Sequence, residues 1–149
     1  MAKAPSLARV KVHYDWDWPG AEAEFKRALE LDPLDLRAMV HLGWHYLYAR
    51  QYDQAIDRLQ RTLKMEPDRA FANTFIGLAY LQKGMRSEAT SALFRAVTLF
   101  KSSPRSEGEL GAAFALLGQT EQARQVLKKL FEISKHRYVS PYSVATIYA

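Results

Sequence analysis

The stretch Leu42-Gly-Trp-His-Tyr46 recurs with the same pattern as Ile76-Gly-Leu-Ala-Tyr80 and as Leu110-Gly-Ala-Ala-Phe114. Each stretch begins 34 residues after the previous one and places an aromatic side chain three positions after its glycine. A fixed period of this length is typical of helical repeat arrays, in which one helix pair cannot bury its apolar face alone. We therefore predict an all-α solenoid of antiparallel helix pairs.

The second helix of each pair carries a stripe of residues that repeats at the same interval. An alanine opens the stripe, a bulky apolar residue follows four positions later, and a third residue follows after three more. Side chains with this spacing share one face of a helix, which we expect to pack on the partner helix. The stripes are Ala21, Phe25 and Ala28; Ala55, Leu59 and Thr62; Ala89, Leu93 and Ala96; and Ala123, Leu127 and Leu130.

Turn and cap residues set the predicted helix boundaries. Gly84 and Gly118 stand where the chain leaves a helix and needs positive φ, and Pro33 and Pro67 close second helices. Asp35, Asp68, Ser103 and Ser140 are suitable N-cap residues. The predicted helices cover about 4–15, 19–31, 36–49, 53–65, 69–82, 86–101, 104–117, 120–134 and 141–149. We assign 1–149 to one domain, with repeats at about 2–35, 36–69, 70–103 and 104–137 and a half-repeat at 138–149.

Composition agrees with a single globular domain. The chain has 149 residues, of which 48% are hydrophobic and 25% charged, and its net charge is +5. It contains no cysteine, so disulfides and thiolate metal sites are excluded. The sequence has neither the apolar core of a secretory signal nor a run of apolar residues long enough to span a membrane. We expect a cytoplasmic protein.

The repeat pattern resembles the tetratricopeptide repeat: a Leu-Gly pair, a following aromatic, a glycine at the inner turn, an alanine in the second helix and a closing proline. The resemblance implies a right-handed superhelical solenoid whose first helices line a concave surface. Segments 14–33 and 138–148 are similar to a narrower bacterial group, in which such arrays form the C-terminal part of larger signalling proteins. The chain departs from the pattern at both ends, because 7–14 lacks the Leu-Gly pair and the helix at 141–149 lacks a second helix.

The first helices carry more apolar residues than packing within a pair requires. In the helix at 36–49 a second stripe runs beside the one that contains the Leu-Gly pair. We predict that it lines an apolar concave groove that binds an extended peptide or an amphipathic helix. The alternative is that neighbouring helices already cover it. The predicted groove residues are Arg37, Val40, Trp44, Leu47, Tyr48, Phe71, Thr74, Leu78, Leu81, Gly108, Ala112, Ala115 and Leu116, with Arg105 also at its edge.

The C-terminal segment predicts self-association. Terminal repeats normally need a polar outer face for solubility, yet residues 138–149 contain no charge. An uncovered apolar end is typical of an interaction site, so we predict a homodimer. The residues predicted to form it are Tyr138, Val139, Tyr142, Val144, Ile147 and Tyr148.

Chemical motifs are few. His41 and His45 are spaced like a pair of metal ligands, but no third ligand is evident, and we interpret them as polar groups at the groove edge. No Gly-rich phosphate loop and no nucleophile elbow is present, so we predict a non-enzyme without a cofactor. Arg58, Arg61 and Lys64 share one helix face and allow nucleic-acid binding as the weaker alternative, since Asp53 and Asp57 interrupt the basic stripe.

Overall fold

The computed structural model describes residues 17–99 and 104–148. Within these ranges the chain forms eight α-helices and no strand, which confirms the all-α prediction. The predicted helix at 4–15 lies outside the described residues. The helices are α1 (Trp18–Leu31), α2 (Leu36–Tyr48), α3 (Tyr52–Met65), α4 (Ala70–Gln82), α5 (Arg86–Leu99), α6 (Pro104–Leu116), α7 (Thr120–Ser134) and α8 (Pro141–Tyr148).

Side-chain caps fix the first two helix starts. The Asp17 carboxylate accepts a hydrogen bond from the backbone N–H of Gly20, and the Asp35 carboxylate accepts from Arg37 and Ala38. These bonds satisfy N–H groups that have no partner inside the helix. The predicted cap at Asp68 is wrong. Helix α4 begins two residues later, at Ala70, and the Asp68 carboxylate instead accepts from the guanidinium of Arg95 at 2.9 Å.

The turns within the repeats use left-handed backbone. Gly84 has a φ of 74° and Gly118 a φ of 75°, as their positions predicted. Arg50 occupies the equivalent place between α2 and α3 and has a φ of 60°. A left-handed conformation is costly for a residue with a Cβ atom, so repeat two makes the same turn at higher conformational cost.

Glycine allows the two helices of a pair to approach closely. A Cβ atom placed on Gly43 would lie 2.5 Å from Cγ of Leu59, and one on Gly77 would lie 2.7 Å from Cγ of Leu93. These glycines belong to the recurring Leu-Gly motif, and the leucines are the central residues of the second-helix stripes. The sequence pattern therefore corresponds to the contact that joins α2 to α3 and α4 to α5.

The core runs along the array. One cluster joins α1, α2, α3 and α4 around Phe25 and Leu42, and another lies around Leu59 and Ile76 in the middle. The C-terminal cluster joins α7 and α8, and its buried residues are Ala123, Val126, Leu127, Leu130 and Ile147. Helix α8 packs mainly on α6, where Gly108 carries no side chain and leaves room for Ser143 of α8.

Candidate protein-binding surface

Four of the predicted groove residues serve the core. Val40, Leu47 and Thr74 are 5%, 8% and 6% exposed, and Gly108 is buried beneath Ser143 of α8. The Thr74 hydroxyl donates to the carbonyl of Ala70 on its own helix. Their assignment to an open groove is corrected, because neighbouring helices cover them and leave little surface for a partner.

Large apolar side chains remain exposed on three successive first helices. Tyr48 on α2 is 54% exposed, Phe71 on α4 is 38% exposed and Leu116 on α6 is 46% exposed. We call these three residues the first-helix surface. The other predicted groove residues lie on the same helices. Arg37 is exposed, and the rest are partly buried: Trp44, Leu78, Leu81, Ala112 and Ala115.

Aromatic rings meet at the α1–α2 end of the array. The ring centroids of Trp44 and Tyr48 are 5.0 Å apart, and those of Trp18 and Trp44 are 6.5 Å apart and stacked. Trp18 begins α1 and was missing from the predicted site. Its spacing could have revealed it, since it lies three residues before Ala21 and seven before Phe25, in register with the second-helix stripe.

His45 is buried between α1 and α2 and does not lie at a groove edge. It is 1% exposed, and its ring centroid lies 5.4 Å from that of Trp18 and 6.3 Å from that of Phe25. Its Nδ1 has no hydrogen-bond partner. His41 is partly buried and stacks on Phe25, so the two histidines do not form a polar edge.

The carboxylate of Glu22 lies close to three polar side chains, one of which is His45. Glu22 accepts from the hydroxyl of Tyr46 at 3.2 Å and pairs with Nζ of Lys26 at 2.7 Å, while Nε2 of His45 is 3.7 Å away. The hydrogen bond from Lys26 lowers the pKa of Glu22. Burial lowers the pKa of His45, against the opposing attraction of the Glu22 carboxylate. The arrangement ties α1 to α2.

Opposite charges are paired on several second helices. Nε of Arg61 lies 3.1 Å from a carboxylate oxygen of Asp57, and Asp53 pairs with Lys83. An open depression of about 640 Å³ between α3, α4 and α5 has both Lys64 and Glu88 at its rim. Mixed charge of this kind gives little support to the nucleic-acid alternative.

The predicted self-association residues divide into two groups. Ile147 is 6% exposed, and Val139 and Val144 are partly buried against the cluster that contains it. Their assignment to a free surface is corrected, because they hold α8 on the array. The exposed members are three tyrosines: Tyr138 at 83%, Tyr142 at 70% and Tyr148 at 71%.

No group of three His, Asp or Glu side chains in 17–99 or 104–148 is arranged to hold a metal ion. None of the described helices is both long and apolar enough to cross a bilayer.

Family models of the tetratricopeptide repeat match residues 41–107 and residues 109–133. The chain belongs to the tetratricopeptide repeat family. Members of this family are generally non-catalytic, and the fold is typical of scaffolds for protein–protein interaction. The matched residues include the three recurring stretches from which the fold was predicted.

Solved tetratricopeptide structures share the fold at low sequence identity. A thermophilic protein of Thermus thermophilus has a TM-score of 0.78 and 21% identity, over 98% of this chain and 80% of that chain. MamA of Desulfovibrio magneticus has a TM-score of 0.71 and 22% identity, over 90% of this chain and 75% of that chain. These similarities confirm the solenoid of helix pairs.

Two further relatives are much longer than this chain. An O-GlcNAc transferase mutant of Thermobaculum terrenum has a TM-score of 0.74 and 18% identity, over 87% of this chain and 25% of that chain. Mouse sperm-associated antigen 1 is 33% identical over 55 residues, which is 37% of this chain and 6% of the mouse protein.

Proposed function

We propose that this tetratricopeptide array is an interaction scaffold that binds a peptide or an amphipathic helix on its first helices. The observation that supports this most strongly is the first-helix surface, where Tyr48, Phe71 and Leu116 are exposed on α2, α4 and α6. Contiguous exposed apolar patches are typical of protein interaction sites, and we infer that these three residues belong to one such patch.

The surface has graded chemistry along the array. Bulky aromatic rings lie at the α2 and α4 end, while Ala112 and Ala115 are the small residues of α6. Arg37 stands at the start of α2 with its side chain 67% exposed. This surface suits a partner helix whose large apolar side chains contact α2 and α4 and which carries an acidic residue close to Arg37.

Peptide selection tests the proposal without knowledge of the natural partner. Fifteen-residue peptides would be selected from a random library on the intact chain, and the affinity of each selected peptide would be measured by fluorescence anisotropy. We expect the double variant Tyr48→Ala and Phe71→Ala to weaken binding by roughly tenfold or more, because buried aromatic anchors dominate such interfaces. Circular dichroism should show an unchanged helix content.

Met65→Ala is the matched control. Met65 lies on the second helix α3 and is 46% exposed, close to the value for Leu116. Equal peptide affinity for the double variant and the wild type would contradict the proposal. Loss of peptide affinity in Met65→Ala, but not in the double variant, would contradict it as well.

Self-association is a second candidate function. Its support is the exposure of Tyr138, Tyr142 and Tyr148 in a segment without charge. Light scattering after size exclusion, at concentrations up to about 100 µM, should give a mass that rises toward twice that of the monomer. A constant monomer mass contradicts it.

The cytoplasmic location, the bacterial origin and the similarity to the narrower signalling group stay predictions.

A further inference from the structure

His45 is buried at a place where a second proton on its ring meets no acceptor. The residue is 1% exposed, and its Nδ1 has no hydrogen-bond partner in the described part of the chain. The rings of Trp18 and Phe25, which contact it from α1, offer no hydrogen-bond acceptor. A protonated His45 would therefore place an unsatisfied N–H group and a positive charge away from water, and both are costly.

The carboxylate that would respond to this charge belongs to α1. An oxygen of Glu22 lies 3.7 Å from Nε2 of His45, which is longer than a hydrogen bond but close enough to attract an imidazolium. The same carboxylate accepts from the hydroxyl of Tyr46 and pairs with Lys26. Movement of Glu22 toward a protonated His45 would weaken both of these bonds. Protonation therefore alters the contact between α1 and α2.

The other titratable groups at this contact do not favour a charged imidazole. The Lys26 ammonium repels an imidazolium, and His41, which stacks on α1, adds no negative charge. Arg58 of α3 is a further positive charge, which acts on Tyr46. Helix α4 carries no Asp, Glu, Lys, Arg or His. Burial lowers the pKa of His45 and outweighs the attraction of the carboxylate.

Trp18 connects His45 to the aromatic end of the first-helix surface. Its ring centroid lies 5.4 Å from that of His45 and 6.5 Å from that of Trp44, on which it is stacked. The rings of Trp44 and Tyr48 are in turn 5.0 Å apart. A change that moves Trp18 away from His45 therefore also removes a ring that packs on Trp44, next to the exposed Tyr48.

We infer that protonation of His45 releases Trp18 from Trp44 and thereby weakens the binding of a peptide at the first-helix surface. The inference rests on the proposed function and adds control by pH to it. A preformed aromatic surface binds more tightly than a mobile one, because ordering the rings on binding costs free energy. By linkage, a bound peptide must disfavour the protonation of His45 to the same extent.

The affinity of one selected peptide at pH 7.0 and at pH 5.5 tests the inference. The peptide contains no histidine, and its binding at pH 7.0 is weakened by the double variant Tyr48→Ala and Phe71→Ala. In the wild type its Kd should rise by about threefold or more at pH 5.5, because fewer molecules then hold the binding-competent arrangement. Glu22 stays ionised over this range, since its pKa lies below 4.5.

Two histidine variants identify the group that titrates. His45→Phe keeps a ring between α1 and α2, so its Kd should stay nearly constant between the two pH values. His41→Phe is the matched control one turn earlier on α2, where its ring can still stack on Phe25, and it should show the same rise in Kd as the wild type.

NMR titration of the His45 ring, with and without the peptide, gives a second readout that needs no variant. The peptide should lower the pKa of His45. An unchanged titration, an equal rise of Kd in the wild type and His45→Phe, or loss of the rise in His41→Phe alone overturns the inference and leaves the binding surface in place.

The remaining outcomes also decide the question. If no selected peptide is weakened by the double variant at pH 7.0, the proposed function and the inference both fail. Circular dichroism of the wild type should show the same helix content at pH 7.0 and pH 5.5. A loss of helix content at pH 5.5 would indicate global unfolding and would overturn the local release of Trp18.

Discussion

At the residue scale, Arg50 shows that the repeat can depart from its pattern at a local cost. It adopts a φ of 60° at the place where Gly84 and Gly118 turn the chain. We expect Arg50→Gly to raise the free energy of unfolding by about 0.5–1 kcal/mol, since relief of about 1–2 kcal/mol is partly offset by the greater freedom of glycine in the unfolded chain. Urea unfolding measures the change. Gly84→Ala is the converse control and should lower stability, and a loss of stability in Arg50→Gly contradicts the explanation.

His45 is the residue that should make stability depend on pH near neutrality. Burial lowers its pKa below the usual value of about 6.5, so the unfolded chain binds more protons than the folded chain once the pH falls below that value. Stability is therefore full above about pH 6.5 and is lost as the pH falls toward the folded pKa. The pKa of Glu22 is also lowered, so the stability that its carboxylate contributes is lost only at more acidic pH, below about 4.5.

The comparison that isolates His45 is between the wild type and His45→Phe. Unfolding in urea at pH 7.0 and pH 5.5 should show a larger loss of stability at the lower pH in the wild type than in the variant. Equal losses in the two proteins would show that the buried imidazole does not titrate in this range.

At the scale of elements, the distance between paired helices depends on glycine. A Cβ atom on Gly77 would lie 2.7 Å from Cγ of Leu93, so Gly77→Ala should force α4 and α5 apart. Overpacking costs about 1–3 kcal/mol, and the better helix propensity of alanine offsets about 1 kcal/mol of this, so the net loss of stability is at most about 2 kcal/mol. Leu93→Ala should lower the free energy of unfolding less when it is made in the Gly77→Ala variant than when it is made in the wild type. Additive losses in this double-mutant cycle would mean that the two residues do not press on each other.

The helices could be predicted from the sequence, but which faces of each helix are buried by neighbouring repeats could not. Periodicity in α2 identified two apolar stripes, and the Leu-Gly stripe packs on α3 as predicted. The periodicity does not show that Val40 and Leu47 are buried while Tyr48 is exposed, because the burial of these side chains depends on neighbouring repeats. The burial of His45 beside Glu22 was missed for the same reason, since the contact joins helices of two different repeats.

At the scale of the whole molecule, a solenoid transmits damage mainly to its neighbours. Ile147 is 6% exposed in the cluster that joins α8 to α7. We expect Ile147→Ala to cost about 2–4 kcal/mol locally, as large-to-small core substitutions do. Hydrogen exchange should then accelerate in α6, α7 and α8 while the amides of α2 and α3 keep their protection, because each repeat contacts only its neighbours. Equal acceleration along the chain would indicate one cooperative unit instead.

The central claim is that partners bind the first helices and not the second helices. Hydroxyl-radical footprinting on the intact chain, with and without a selected peptide, tests this directly by comparing two matched sets of exposed apolar residues. We predict that the peptide protects Tyr48, Phe71 and Leu116, whereas Met65, Phe94 and Phe131, which are 46%, 42% and 49% exposed on second helices, keep their rate of oxidation. Protection of the second set with no protection of the first would contradict the account.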